Sequence, residues 1–252
     1  MIDDLPVAAV ADTFWELLGC EPQYPCDLEK LLLWDQPVDF GLTFDALPNL
    51  DLAAVKRYAL RRRMQYRVVQ ARRRQHGFLL ADSDGACVLY EANDPVDEQR
   101  FTKAHEVAHF LIDYYLPRRR GLELLGESSR GALEGSRAPN QQERLHAAMA
   151  QVRLGVLENL TERTRDNRPS TRTLLAEDRA DRIALELLAP AELVLKRLER
   201  APRMERDQQL QWLAALLQAD FGLPKQEANE YAHELIAQRG GSALFDWLAS
   251  NV

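Results

Sequence analysis

The chain is poor in cysteine: only Cys20, Cys26 and Cys87 occur in 252 residues. An odd, sparse set excludes a disulfide framework. Cys20 and Cys26 lack the two-residue spacing of a zinc knuckle and no second pair follows, so all three read as reduced structural thiols. Long apolar runs are missing as well. None approaches the roughly 20 residues of a membrane helix, so no membrane partner is expected. Positive charge is in deficit, with 32 Lys and Arg against 39 Asp and Glu and a formal net charge of −7. Such a chain has no global attraction to nucleic acid, and any contact of that kind must be local. The N-terminus, MIDDLPVAAVADTFW, carries acids where a secretory signal carries Lys or Arg, and a soluble, cytoplasmic protein is expected. No fixed-period repeat is visible.

What is present is globular: 46% hydrophobic and 28% charged residues, in a length that fits one large domain or two small ones. Residues 8–19 and 27–33 have the spacing of short amphipathic helices. From Leu52 to about Gln75 the chain begins helical and is strongly basic, with Lys56, Arg57, Arg61, Arg62, Arg63, Arg67, Arg72, Arg73 and Arg74 and no acid among them. Such a run reads either as a solvated face or as a grip on a phosphate backbone or acidic partner. Residues 78–81 and 86–91 flank Asp-Ser-Asp-Gly and predict a β-hairpin, the clearest strand signal in a chain that otherwise looks helical. Asp94 and Pro95 are placed to cap and open a helix, with Asp97 and Glu98 at its positive end; Pro117 is expected to stop it near Leu116. Residues 118–138 have loop composition. Helical periodicity returns at 140–165. Ser170 or Thr171 is placed to cap a helix reaching Leu188, and further helices are expected at 190–200, 205–220, 225–238 and 242–250.

The segment that carries chemistry is Arg100-Phe-Thr-Lys-Ala-His105-Glu106-Val-Ala-His109-Phe-Leu-Ile, an H-E-x-x-H pattern on a predicted helix. Residues four apart share a helical face, so His105 and His109 can reach one ion. Two imidazoles suit Zn²⁺, and Glu106, one position on, can take a proton from water activated by that ion. The plain alternative is a pair of ordinary buried histidines on a core helix; with only five histidines in the chain, chance rarely produces the pattern.

A catalytic zinc takes a third protein ligand and keeps one position open. Six residues after His109, where a metzincin has its third histidine, stands Tyr115. His146 and His233 remain as candidates without a supporting pattern. Glu177 is the better one: Glu177 and Asp181 share a helical face, with the small residues Ala180 and Ala184 on the same side to allow a close approach to the histidine helix. Asp181 would then accept the free N–H of one ligand imidazole. The bland reading of this segment, with Asp178 and Glu186 nearby, is an acidic solvated face.

Together the two segments resemble the ImmA/IrrE family of bacterial zinc metallopeptidases. The likeness lies in Arg100–His109, preceded by a hairpin and an Asn such as Asn93, and in a downstream helix of the form E-x-x-A-[N/D]-x-x-A-x-x-L-L-x-P, which residues 177–190 fit at every specified position. It covers about 60 residues well, at 77–117 and 171–190, and extends weakly to 209–238, which is similar to a helix-turn-helix-like segment of many members. The resemblance implies Glu177 as third zinc ligand. Two features depart from the family pattern: the gap of 68 residues between His109 and Glu177 is long for it, and Asp181 stands where Asn is common. The excess length reads as a helical insertion over about 118–170.

What the resemblance implies is an α+β, mostly helical, zincin-like domain over residues 1–203 and a C-terminal helical segment over 204–252. The implied activity is peptide hydrolysis with a Zn²⁺ cofactor. The implied substrate is a helix-turn-helix repressor encoded nearby, in a stress-response or mobile-element circuit. Tyr114, Tyr115, His233 and several arginines are candidates to stabilise the oxyanion. Two other function classes stand beside this one: a non-catalytic binding protein on a zincin scaffold, and a DNA-binding regulator acting through 209–238 and the basic stretch.

Overall fold

The computed structural model describes residues 5–34, 40–62, 76–82, 85–150, 154, 171–201 and 204–250. They form a mostly helical α+β fold around a small three-stranded sheet. Two strands are the expected hairpin, Gly77–Asp82 (β2) and Gly85–Glu91 (β3), paired antiparallel with Asp82 opposite Gly85. The third, Leu42–Leu47 (β1), was not anticipated from sequence; it runs parallel to β3 and makes the order β1-β3-β2. Its Leu42 and Phe44 alternate with polar residues, the pattern of a half-buried strand, but six residues give a weak signal beside the longer helices.

Period-two alternation puts a different core on each face of the sheet. Leu42, Phe44, Leu79, Ala81, Ala86, Val88 and Tyr90 enter the main core. Phe78, Leu80, Cys87 and Leu89 turn to the other side and meet Val55 and Ala59 of Leu52–Arg61 (α3). Asp51 caps α3 by accepting the Ala54 N–H at 2.7 Å. The Tyr58 hydroxyl bonds Asp45 of β1, and Arg62 pairs with the same carboxylate at 3.2 Å. The rest of the basic stretch, 63–74, lies outside the described residues.

The N-terminal helices Val7–Leu18 (α1) and Leu28–Trp34 (α2) pack on the main core, α2 beside the central helix Val96–His109 (α4). The start of α4 differs from expectation. Pro95, not Asp94, is its cap residue, and no side chain caps it. The Asp94 carboxylate is engaged elsewhere, 2.8 Å from His76 Nδ1. Pro117 does not end the helix either. After His109 the chain widens into a π-helical stretch, Phe110–Tyr115, and continues as Leu116–Leu125 (α5) with the proline in its first turn, where a missing N–H is tolerated.

The loop expected at 118–138 is largely helical: α5 is followed by a short 3₁₀ turn and by Arg130–Glu134 (α6). Gln141–Ala150 (α7) opens with a reciprocal cap, Asn140 Oδ1 accepting from Glu143 N–H and Glu143 accepting from Asn140 N–H, both at 2.8 Å. Residues 155–170 lie outside the described residues. Thr171–Leu188 (α8) and Ala191–Glu199 (α9) follow the expected pattern around Pro190. Arg206–Phe221 (α10) and Lys225–Ser250 (α11) close the chain, the second as one continuous helix where two were expected. Leu213, Leu217, Phe221, Ala228 and Leu235 of this pair belong to the same core as Ala104 of α4 and Ala184 of α8.

α4 packs against α8 through small residues on both sides, since Ala104, Ala108, Ala180 and Ala184 are all fully buried. Behind the start of α4, Glu91 anchors the end of β3. Its buried carboxylate accepts N–H bonds from Asn49, Leu50 and Asn93, and a further bond from the Asn93 side chain. Burial alone would raise its pKa, but these donors hold it below the usual carboxylate range. Asn93 therefore fixes the turn that leads into α4.

Candidate metal centre

The alanine seam brings together one ligand pair from α4 and one carboxylate from α8. His105, His109 and Glu177 offer ligand atoms that all lie within 4.8 Å of one another. Glu177 Oε2 is 3.3 Å from His105 Nε2, and Glu177 Oε1 is 3.6 Å from His109 Nε2. A charge-assisted hydrogen bond would be shorter, about 2.7–2.9 Å. Zn–N bonds of about 2.0–2.1 Å in a tetrahedron separate neighbouring ligand atoms by about 3.3–3.4 Å. The three residues could therefore hold a metal ion between them.

Each histidine is steered from its other nitrogen. Asp181 Oδ1 lies 2.7 Å from His105 Nδ1, and Asp113 Oδ2 lies 3.1 Å from His109 Nδ1. A carboxylate only accepts, so both imidazoles carry their proton on Nδ1 and turn Nε2 toward Glu177. Sequence reasoning singled out Asp181 but missed Asp113. The signal was there, four residues beyond His109 on the same expected helix.

Without metal, four carboxylates surround the two imidazoles. Burial would lower the pKa of His105, but Asp181, Glu177 and Glu106 outweigh it and push it up to about 9. Burial opposes His109 in the same way; Asp113, Glu177 and Glu106 raise it to about 10. Hydrogen bonding to both imidazoles holds Glu177 far below the usual carboxylate range. The site therefore holds protons where it would hold a dication. Zinc must displace them, so zinc affinity is expected to rise with pH up to about 10, and close to two protons should leave per ion at pH 7. Calorimetry in buffers of different ionisation enthalpy counts these protons; release of none would contradict the arrangement. The metal-free protein has the opposite profile. The raised histidines stabilise it fully below about pH 6.5, and that contribution is lost as pH climbs through 9 to 10.

Asp113→Ala and Asp181→Ala each free one imidazole to rotate and reduce its basicity. Each is expected to weaken zinc binding about 10- to 100-fold with the fold intact, measured by chelator competition. Equal affinity in wild type and both variants would show that the carboxylates steer nothing.

Glu106 is buried, points beside the ligand pair and is not part of the ligand triad. Burial raises its pKa, and the two histidines and the Leu79 backbone N–H moderate the rise. Gly77 of β2 stands against it: a Cβ there would come within 2.7 Å of Glu106 Oε1 and 2.5 Å of Thr102 Cγ2. Only glycine lets the strand approach this closely.

His105, Glu106 and Glu177 open into a pocket of about 630 Å³, walled also by His76, Asp94, Glu98, Gln226 and Glu227. Comparison with known proteins gave no match. No protein-family model, curated protein or solved structure shows kinship with the chain, so the site is read on its own chemistry.

The other candidates do not reach this pocket. Tyr114 and Tyr115 line a separate cavity of about 540 Å³ with Arg118, Arg119 and Arg130. His146 on α7 and His233 on α11 are exposed, and neither joins the ligand group. No arginine lines the metal pocket among the described residues. His76 does line it, and sequence reasoning passed it over because it stands just before the hairpin with no pattern around it. No described helix is long and apolar enough to cross a membrane.

Proposed function

We propose that this chain is a zinc-dependent metallopeptidase with a zincin-like core, of the kind its H-E-x-x-H and Glu177 segments resemble in the ImmA/IrrE family. The observation that carries the reading is the conjunction of a ligand triad, its atoms within 4.8 Å of one another, with a buried carboxylate, Glu106, in one open pocket. A purely structural zinc site is closed by four protein ligands and needs no base. Here three ligands converge, and the Glu177 side chain is 50% exposed, leaving one side of the site to solvent.

When bound, zinc supplies Lewis acidity and makes water acidic enough to lose a proton near neutral pH. Glu106 accepts that proton and returns it to the departing amine nitrogen. His105 and His109, oriented by Asp181 and Asp113, would hold the ion through Nε2 together with Glu177. Thr102 and Gly77 wedge Glu106 in place. An extended peptide has a natural seat: β2 is an edge strand of the sheet among the described residues. Glu91 N–H bonds the His76 carbonyl, so Gly77 and Leu79 direct their backbone groups away from β3, and the Leu79 N–H already meets Glu106.

The substrate proposed is a helix-turn-helix repressor, cleaved in the cytoplasm in a stress-response or mobile-element circuit. Direct DNA reading by the C-terminal helices is disfavoured on charge. α11 opens at the pocket wall and carries Glu227, Glu230 and Glu234 between Lys225 and Arg239, a pattern that repels phosphate. The test is cleavage of an unfolded protein, and then of repressors encoded near the gene, by zinc-loaded protein. Chelation with EDTA should abolish cleavage and added zinc should restore it. Cleavage that survives complete metal removal, or no cleavage of any of these substrates at full zinc occupancy, would sink the reading.

A further inference from the structure

The face of α4 that carries His105 continues as Thr102, Phe101 and Glu98, spaced three and four apart. One side of the helix thus lines the metal pocket over about 10 Å. Glu227, from the first turn of α11, lines the same pocket and stands near enough to Glu98 for the two carboxylates to disturb each other. The pocket therefore changes along its length, from the metal ligands past the Phe101 ring to a pair of acids.

Those two acids have no task in the metal centre. Of the other lining carboxylates, Glu177 joins the ligand triad, Glu106 is the buried base beside it, and Asp94 is held by His76 at 2.8 Å. Glu98 and Glu227 have no ion-pair partner among the described residues, and the Glu227 Oε2 atom is fully buried and accepts no hydrogen bond. Burial pushes the Glu227 carboxyl above its usual range, and Glu98, Glu230 and Asp181 push it the same way. A buried acceptor without a donor marks a place where a donor belongs. A cation suits it best, since a neutral donor leaves the repulsion between the two acids in place. Lysine and arginine match the whole path: an apolar stem against Phe101 and a charged head between Glu98 and Glu227. A repressor that grips DNA phosphates carries such residues.

We infer that the pocket takes a lysine or arginine side chain next to the substrate's scissile bond, with Glu98 and Glu227 as specificity-determining residues. What enters the pocket rests on the metallopeptidase reading, but the test reads binding. N-acetylarginine amide and N-acetylcitrulline amide, alike in shape and different in charge, are titrated into zinc-loaded protein by calorimetry. Wild type should bind the arginine derivative about tenfold more tightly; Glu98→Gln and Glu227→Gln should each lower that ratio several-fold, and Glu227→Asp should keep part of it. Glu192→Gln, which removes an acid 79% exposed elsewhere on the surface, should leave the ratio unchanged. The ratio is taken within one preparation, so a partly unfolded variant does not imitate the result. Equal affinity of wild type for the two amides, no binding of either, or a loss in Glu192→Gln as large as in Glu227→Gln would overturn the proposal. Cleavage of an unfolded protein separates the two readings. Cleavage with equal amide affinities overturns the basic-side-chain pocket alone; a preserved preference without cleavage overturns the enzyme and its scissile bond and leaves a pocket for a basic side chain.

Discussion

Replacing Glu106 with glutamine is expected to leave zinc binding unchanged and to reduce peptide cleavage by about 10²- to 10⁴-fold, the range of a lost general base. The amide keeps the shape of the carboxylate, so the tight fit against Gly77 and Thr102 survives. It can still accept the Leu79 N–H, but it cannot accept a proton. Glu106 lies outside the ligand triad, so the ion has no reason to leave. Burial has already pushed this carboxyl toward a pKa better matched to proton transfer near neutrality. Metal analysis and cleavage assays on the same preparation decide the matter. Full activity in the variant would remove Glu106 from the mechanism; loss of zinc would place it among the ligands.

Glu177→Ala carries the other large effect. With two imidazoles left, zinc affinity is expected to fall by more than the roughly 10- to 100-fold attributable to an outer carboxylate. The fold should persist, because the face of α8 that enters the core is made of Ala180, Ile183, Ala184, Leu187 and Leu188, none of them touched by the change. Zinc per chain after dialysis, together with thermal unfolding of the metal-free protein, separates ligand loss from unfolding. A variant that retains zinc at wild-type affinity would show that the ion sits elsewhere.

Which parts of this architecture a reader could find in the sequence follows from the range of the interactions. His105, Glu106 and His109 are legible because one helical turn brings them together, a purely local matter. Ala180 and Ala184 announce a close helix contact through their size. Asp113 was equally local, four residues beyond His109 within the same expected helix, and went unread; it lies in the π-helical stretch that follows α4. β1 pairs with a strand some forty residues away, and no neighbour in sequence reveals that register. His76 acquires meaning only from Asp94, across the hairpin, and from a pocket assembled by four separated segments. Asp94 itself looked like a helix cap until the imidazole was placed beside it.

The pocket wall includes Gln226 and Glu227, from the first turn of α11. The turn before that helix is tied to the metal-bearing one: Arg100 donates to the Gly222 carbonyl at 2.7 Å, and Gly222, at φ +66°, has no room for a side chain beside that guanidinium. The last two helices are therefore not a detachable module. A protein trimmed after residue 203 would lose one wall of its own cleft and expose apolar surface from the shared core. Any grafting of this metal site onto another scaffold would have to carry both ends of the chain's second half with it.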